Sequence, residues 1–276
     1  MTKKAARRQA VLRLLDEGLF LSREEALPFF LSGQVFCGTQ RVTSPAQLVP
    51  DDSSLTVRGR ELPYVAKGGL KLEGALRDFG IQAGSRVCID AGACTGGFTD
   101  CLLKHGASLV YAVEVGFGQL AGSLRQNPKV VNLEKTNIGD ESLMGLDPTP
   151  TLASVDLSYL SLEKAVPIFA KIMDGCGELV CLVKPLFEVA DSEARRTGII
   201  APEAYLPTLI SLAKSLNAQA STRVIGVTNS PVTGNNGTHE FFFHVALGVD
   251  VPVPDLRNAM EESIARVLSL DAYKKG

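Results

Sequence analysis

The chain has 276 residues, of which 45% are hydrophobic and 21% charged, with a formal net charge of −2. This size suffices for one large α/β domain with a smaller companion. Because no apolar run reaches the ~18–20 residues that span a bilayer, and the basic segment Met1–Arg8 lacks a signal peptide's apolar stretch, we expect a cytoplasmic protein without membrane association.

The charge is unevenly distributed. Residues 1–71 contain 11 basic and 7 acidic residues, a net charge of +4, which leaves −6 on the rest. Such asymmetry is typical of a segment that contacts a polyanion, although a solvated charged surface has the same composition. The six cysteines form no Cys-x-x-Cys pair, and the three histidines lie at no metal-ligand spacing near them, so we expect neither disulfides nor a bound metal.

Residues 1–60 are predicted to form a small α+β domain. A helix from about Ala5 to Glu17, ended by Gly18, precedes a second helix from the N-cap candidate Ser22 to about Leu31. Short strands are expected at residues 35–37 and 54–57, separated by turn-rich sequence.

This segment resembles the small RNA-binding domain first known from ribosomal protein S-four. The residues that carry the resemblance are Gly18-Leu19, the run from Ser22 to Ala26, Gly33-Gln34-Val35 and Asp51-Asp52. The resemblance implies RNA binding, for which the candidate residues are Arg7, Arg8, Arg23, Arg41 and Lys67. An accessory domain without a nucleic-acid role is the alternative.

The rest of the chain predicts a doubly wound, Rossmann-like α/β domain. A linker at residues 61–69 leads into a helix at residues 70–79, and apolar strands at 86–89, 109–113, 152–155 and 178–183 then alternate with helices up to residue 248. Late strands at 224–227 and 240–245 are expected to form a hairpin at one sheet edge. The tail, residues 249–276, contains an amphipathic helix at about 255–270.

A glycine-rich loop runs from Asp90 to Thr99, between a strand and a helix. Such a loop lets the backbone and the helix N-terminus approach a nucleoside-containing ligand. Asp90 at the strand end is placed to reach the methionine part of S-adenosylmethionine, and Glu114 after the next strand suits ribose hydroxyls. NAD is an alternative ligand because it also uses such an acid, and a purely structural turn is another. The remaining candidate cofactor residues in the loop are Gly92, Ala93, Thr95, Gly96, Gly97 and Phe98.

Five further segments follow one another along the chain in an order that is typical of one protein family. They are Lys67 to Glu73, Val113 to Leu120, Asp156 to Leu162, Val183 to Glu188, and Ser230 to Gly234 with His239-Glu240. With the loop, they closely resemble the TlyA (hemolysin A) family, which joins an S-four-type domain to a methyltransferase domain like that of FtsJ. The resemblance covers roughly residues 10–248.

The resemblance implies S-adenosylmethionine-dependent 2′-O-methylation of ribose, with cytidine in ribosomal RNA of the ribosomal subunits as the target. It maps a catalytic tetrad onto Lys71, Asp156, Lys184 and Glu240. It also implies that Asp156 and Asn137 lie near the cofactor, the latter near the adenine. Lys184 would accept the hydroxyl proton or stabilise the alkoxide, and the sequence leaves both open.

Two other functions stay open at this point. One is an RNA-binding ribosome-assembly factor that binds S-adenosylmethionine without catalysis, suggested by Leu186 where the family usually has Gln. The other is a membrane-active hemolysin, as the family's older name implies. The charged segment from Asp191 to Tyr205 is predicted to be a loop over the active site.

Overall fold

A computed structural model describes residues 6–20, 23–59, 63–158, 160–189, 192–197, 200–234 and 238–270. Its N-terminal domain has the order β1 (Arg7–Gln9), α1 (Ala10–Asp16), α2 (Arg23–Leu31), β2 (Val35–Cys37), β3 (Gln40–Arg41), β4 (Leu48–Pro50) and β5 (Leu55–Val57). Its strands form two small sheets, β1-β4 and β3-β2-β5. The two helices and the sheets enclose one apolar core that includes Leu14, Phe20, Phe30 and Val35.

The predicted start of the first helix is wrong. Residues 7–9 are extended and pair antiparallel with β4, Arg7 opposite Pro50 and Gln9 opposite Leu48, so α1 begins only at Ala10. A basic run without apolar periodicity does not reveal a strand whose partner lies 40 residues away. The second helix agrees with the prediction over Arg23–Leu31, whereas its expected N-cap Ser22 falls outside the described residues.

The large domain is built on a seven-stranded sheet with the order β11-β12-β10-β9-β6-β7-β8. The strands are β6 (Val87–Ala91), β7 (Leu109–Glu114), β8 (Val130–Glu134), β9 (Leu152–Val155), β10 (Gly177–Val183), β11 (Thr222–Asn229) and β12 (Phe241–Leu247). Strands β6 to β10 are parallel to one another, whereas β12 is antiparallel to both β10 and β11. The predicted doubly wound fold and its late hairpin at one edge are therefore confirmed.

Helices cover both faces of this sheet. They are α3 (Gly68–Phe79), α4 (Gly97–Lys104), α5 (Gly122–Arg125), α6 (Leu162–Ile172), α7 (Pro185–Glu188), α8 (Ser192–Thr197), α9 (Tyr205–Asn217) and α10 (Arg257–Leu268). One face carries a large apolar cluster that includes Phe169, Leu209 and Phe243, and the other a smaller one that includes Leu72, Phe98 and Phe242. The tail helix α10 packs on the larger cluster through Met260 and Val267.

Strand β8 was not predicted from the sequence. It lies at the sheet edge, its side chains are only partly buried, and its apolar residues are interrupted by Asn132 and ended by Glu134. An edge strand of this kind lacks the continuous apolar run by which the buried strands were found.

The two domains meet where α1 ends and α3 begins. Gly18, with φ +77°, packs so closely against Lys67 that a Cβ atom at Gly18 would overlap the lysine side chain. The Lys67 ammonium donates to Asp16 Oδ1 at 3.0 Å, and Arg8 contacts the other carboxylate oxygen at 3.3 Å. Burial lowers the pKa of Lys67, and the Asp16 carboxylate opposes that shift. The predicted linker residues Gly68 and Gly69 belong to the first turn of α3.

Replacing Asp16 by Asn is expected to lower the free energy of unfolding by about 1–3 kcal/mol, because it leaves the largely buried Lys67 ammonium without its counter-charge. Urea unfolding followed by circular dichroism measures this. Glu261→Gln is the matched control, since it breaks an exposed helical pair with Arg257 that is worth at most about 0.5 kcal/mol. Equal destabilisation by both variants would show that the Asp16–Lys67 contact does not hold the domains together.

Candidate active site

The glycine-rich loop follows β6 and touches the next strand of the sheet. Gly92 has φ +84°, and a Cβ atom there would overlap the carbonyl oxygen of Asp156. The Asp156 amide in turn donates to the carbonyl of Ala91 at 2.9 Å. Only glycine combines this backbone conformation with so close an approach, so the loop and the end of β9 form one surface.

A cavity of about 1070 Å³ opens above this surface. It lies at the carboxyl ends of the parallel strands, where doubly wound folds bind their ligands. All four tetrad candidates line it, together with Lys67 and seven of the candidate cofactor residues: Gly92, Ala93, Thr95, Gly97, Phe98, Glu114 and Asp156. Its size accommodates a nucleoside cofactor and part of an acceptor.

Asp90 does not line the cavity. It is fully buried behind the loop, where its carboxylate accepts hydrogen bonds from Thr99 Oγ1 at 2.6 Å and Ser154 Oγ at 2.9 Å. Burial raises the pKa of Asp90 to about 6, and the two hydroxyl donors oppose the shift. Asp90 thus ties the start of α4 to β9, rather than presenting its carboxylate at the cavity surface as the sequence suggested.

Gly96 and Asn137 also lie outside the cavity lining. The Asn137 side chain accepts a hydrogen bond from the amide of Gly139 at 3.0 Å, within a turn closed by Asp140. Its neighbours Thr136 and Ile138 face the cavity in its place.

Glu114 lies at the end of β7 and reaches across to the loop. Its two carboxylate oxygens accept hydrogen bonds from the amides of Cys94 at 3.0 Å and Gly116 at 2.7 Å. Each carboxylate oxygen can accept more than one hydrogen bond, so the anchored side chain still has acceptor capacity toward the cavity that it lines.

The four tetrad candidates form two ion pairs. Lys71 Nζ donates to Glu240 Oε2 at 2.6 Å, and both side chains are less than 10% exposed. Lys184 forms an ion pair with Asp156 and donates to Ser158 Oγ at 3.0 Å. The tetrad therefore places two ammonium groups on one cavity wall, each with its own carboxylate.

The topology explains why residues so far apart in sequence meet. Asp156 and Lys184 follow the carboxyl ends of the adjacent parallel strands β9 and β10. Because β12 is antiparallel to β10 and Phe241 pairs with Val183, Glu240 immediately precedes β12 where Lys184 immediately follows β10. Lys71 lies in the first turn of α3, which packs against this end of the sheet.

The cavity wall also contains several residues to which the sequence assigned no role. Tyr205 Oη shares a hydrogen bond of 3.1 Å with His239 Nδ1, and the two rings pack edge to face. Burial lowers the pKa of His239, whose Nε2 is buried and has no hydrogen-bond partner among the described residues. Other unassigned lining residues include Cys94, Val115, Gln119, Ser158, Phe187, Thr197 and Ile200. These residues lie within segments that the sequence had singled out, but their residue types gave no indication of an individual role.

The segment predicted as a loop over the site contains α8 and a short 3-10 turn at Pro202–Ala204. It contributes Thr197, Ile200 and Tyr205 to the cavity, so its predicted location holds for these residues. Residues 191, 198 and 199 lie outside the described residues.

The RNA-binding candidates occupy different environments. Arg7, Arg23 and Arg41 are exposed on the N-terminal domain. Arg8 is engaged by Asp51 at 2.6 Å and by Asp16. Lys67 faces the cavity and the domain junction, rather than the outer surface.

The described ranges include no helix long and apolar enough to cross a membrane. Nor do they contain a group of three or more His, Cys, Asp or Glu side chains arranged to hold a metal ion.

The doubly wound sheet, with a nucleoside-type loop and two lysine–carboxylate pairs on one cavity, defines a Rossmann-type methyltransferase. Residues 64–247 match the family described as FtsJ-like methyltransferase. The chain belongs to the TlyA (hemolysin A) family of FtsJ-like methyltransferases.

Several relatives are similar to the chain over almost their full length. The chain is 34% identical over 267 residues to the 16S/23S rRNA (cytidine-2′-O)-methyltransferase TlyA of Mycobacterium tuberculosis, covering 96% of this chain and 98% of that one. It is 37% identical over 230 residues to Hemolysin A of Brachyspira hyodysenteriae, covering 83% and 95%. A solved structure of a hemolysin candidate from Streptococcus thermophilus superposes with a TM-score of 0.74 at 34% identity, covering 96% and 97%.

Gly92→Ala is expected to weaken binding of S-adenosylhomocysteine at least about tenfold. The added Cβ forces apart the loop and Asp156, and the positive φ strains any L-residue there. Isothermal titration calorimetry measures the affinity.

Gly122→Ala is the matched control, because a Cβ atom at that glycine meets no atom within 4 Å. Unchanged affinity in Gly92→Ala would mean that the close approach of the loop to Asp156 does not shape the cofactor site.

Proposed function

We propose that this protein transfers the methyl group of S-adenosylmethionine to a ribose 2′-hydroxyl, that of a cytidine, in ribosomal RNA. The observation that carries the proposal is the Lys184–Asp156 pair on the same cavity as the glycine-rich loop. The TlyA relative is named for this reaction on cytidine in 16S and 23S rRNA.

S-adenosylmethionine is the cofactor, and the residues present fit it. Gly92 to Thr95 and Gly97 of the loop line the cavity, and the anchored Glu114 carboxylate supplies acceptors for ribose hydroxyls. When bound, the cofactor supplies an electrophilic methyl group on a sulfonium ion. In this assignment Asp90 does not touch the cofactor. It accepts a hydrogen bond from Thr99 and thereby holds the start of α4 in place.

Lys184 is the residue assigned to the acceptor hydroxyl. An ammonium group has three N–H donors, and among the described residues its polar partners are Asp156 and Ser158. The third donor is then available for the ribose oxygen. As the carbon–oxygen bond forms and the methyl–sulfur bond breaks, the hydroxyl proton passes to the Asp156 carboxylate of the pair, and the Lys184 ammonium stabilises the negative charge that develops on the oxygen.

Lys71 and Glu240 are assigned a supporting role. Their buried ion pair adds no net charge to the wall, so the second ammonium group does not repel Lys184 as strongly as an unpaired one would. Orientation of the ribose oxygen toward the methyl carbon contributes to the rate as well, because it replaces a bimolecular encounter by a fixed geometry.

RNA binding is assigned to the N-terminal domain through Arg7, Arg8, Arg23, Arg41 and Lys67. The exposed arginines supply charge for phosphates, whereas Lys67 lies where RNA that enters the cavity would pass. A non-catalytic role is disfavoured because the tetrad pairs are intact, and no feature of the described residues favours membrane lysis.

Lys184→Met is expected to lower methyl transfer to unmethylated ribosomal subunits by about 10²-fold or more, because the group at the acceptor oxygen is lost. Affinity for S-adenosylhomocysteine is expected to change less than about threefold. The exposed Lys171→Met on α6 is the control and should retain full activity. Wild-type rates in Lys184→Met would refute the role given to Lys184.

Arg23→Ala combined with Arg41→Ala is expected to weaken RNA binding and to flatten its salt dependence. Each lost phosphate contact lowers the slope of log K against log salt by about 0.7–0.9. Filter binding of ribosomal RNA between 50 and 300 mM salt, roughly the range where phosphate contacts dominate, measures the slope. The double variant Arg257→Ala, Arg266→Ala removes two exposed arginines from α10 and should leave the slope unchanged. An unchanged slope in the variant that lacks Arg23 and Arg41 would show that these arginines do not contact RNA phosphates.

A further inference from the structure

Phe187 is an apolar side chain that the fold leaves exposed at the cavity. It is 49% exposed. Of the large apolar residues that are exposed in the described part of the chain, two line the cavity, Val115 and Phe187. Val115 follows Glu114 at the end of β7, whereas Phe187 lies three residues after Lys184.

The Phe187 ring is carried by a well-anchored turn. The amide of Phe187 donates to the carbonyl of Lys184 at 2.8 Å, and that of Val189 donates to Pro185, which is buried. The carboxylate of Glu188 accepts a hydrogen bond from the amide of Leu162 at the start of α6. These contacts hold the backbone of the turn, and thus the point from which the ring projects, in place relative to Lys184.

The distance between the ring and the catalytic ammonium suits a nucleoside. Lys184 Nζ lies 5.8 Å from the centre of the Phe187 ring. In a nucleoside the base is attached to the ribose carbon next to the one that carries the 2′-hydroxyl. A ribose whose 2′-oxygen contacts Lys184 therefore holds its base beside the ammonium, within reach of an aromatic face.

We infer that Phe187 is the platform on which the base of the acceptor nucleotide stacks during methyl transfer. This inference rests on the proposed function and adds a statement about the conformation of the acceptor nucleotide. A base inside a duplex has both faces covered by its neighbours, so the acceptor is a nucleotide that is single-stranded or turned out of its helix. Stacking tolerates any base, so discrimination for cytidine resides in other groups of the cavity wall.

The chain contains no tryptophan. A tryptophan introduced at position 187 is therefore the sole source of tryptophan fluorescence, which reports stacking at that position. The fluorescence of Phe187→Trp is expected to be quenched when unmethylated ribosomal subunits bind in the presence of S-adenosylhomocysteine. Phe117→Trp is the matched control, since Phe117 is 71% exposed but does not line the cavity. Its fluorescence should change little. Equal quenching of both variants, or none at Phe187→Trp while it still methylates RNA, would overturn the inference.

Two further variants keep the test decisive if the tryptophan perturbs the turn. Phe187→Tyr keeps the aromatic face and should retain kcat/KM for RNA within about threefold. Phe187→Leu keeps an apolar side chain but loses the face, and kcat/KM should fall about 5- to 150-fold, as expected for one lost stacked base, with unchanged affinity for S-adenosylhomocysteine.

Equal activity of the leucine and tyrosine variants would refute stacking while leaving the methyltransferase function standing. If the wild-type protein also transfers no methyl group to RNA, the proposed function fails, and the inference fails with it.

Discussion

Asp156 is the residue on which the two halves of the site depend. Its carbonyl lies against Gly92 of the glycine-rich loop, and its carboxylate holds Lys184. Its amide is hydrogen-bonded to Ala91, the last residue of β6. One residue at a strand end thus links the glycine-rich loop to the Lys184 ammonium. Preorganisation of this kind matters because charge develops on the acceptor oxygen only briefly, and a rearranging group would stabilise it less.

The second ion pair constrains the same wall from the other side. Lys71 and Glu240 are buried, so removal of either partner leaves a charge that water cannot solvate, at a cost of about 3–5 kcal/mol. One turn earlier, Lys67 binds Asp16 of the N-terminal domain. The residue that precedes α3 therefore contacts the other domain, and the first turn of the same helix holds Lys71 of the cavity wall.

The large domain could be predicted from the sequence because it follows from local rules, whereas Lys71 and Glu240 were named only through the family resemblance. Buried parallel strands are apolar runs, and functional side chains follow their ends, as Asp156 and Lys184 do. The burial of Asp90 was not predictable in this way, since its partners Thr99 and Ser154 are 9 and 64 residues away. The Tyr205–His239 contact and strand β1 depend likewise on long-range packing, whereas the edge strand β8 carries too little apolar signal. The roles given to individual site residues remain predictions.

The central claim is that methyl transfer ends on a ribose oxygen. It is tested most directly by incubating the protein with unmethylated ribosomal subunits and methyl-labelled S-adenosylmethionine, digesting the RNA to nucleosides and separating them. The label is expected in 2′-O-methylcytidine. Label on a base, or no label in RNA that an active control enzyme methylates, would contradict it.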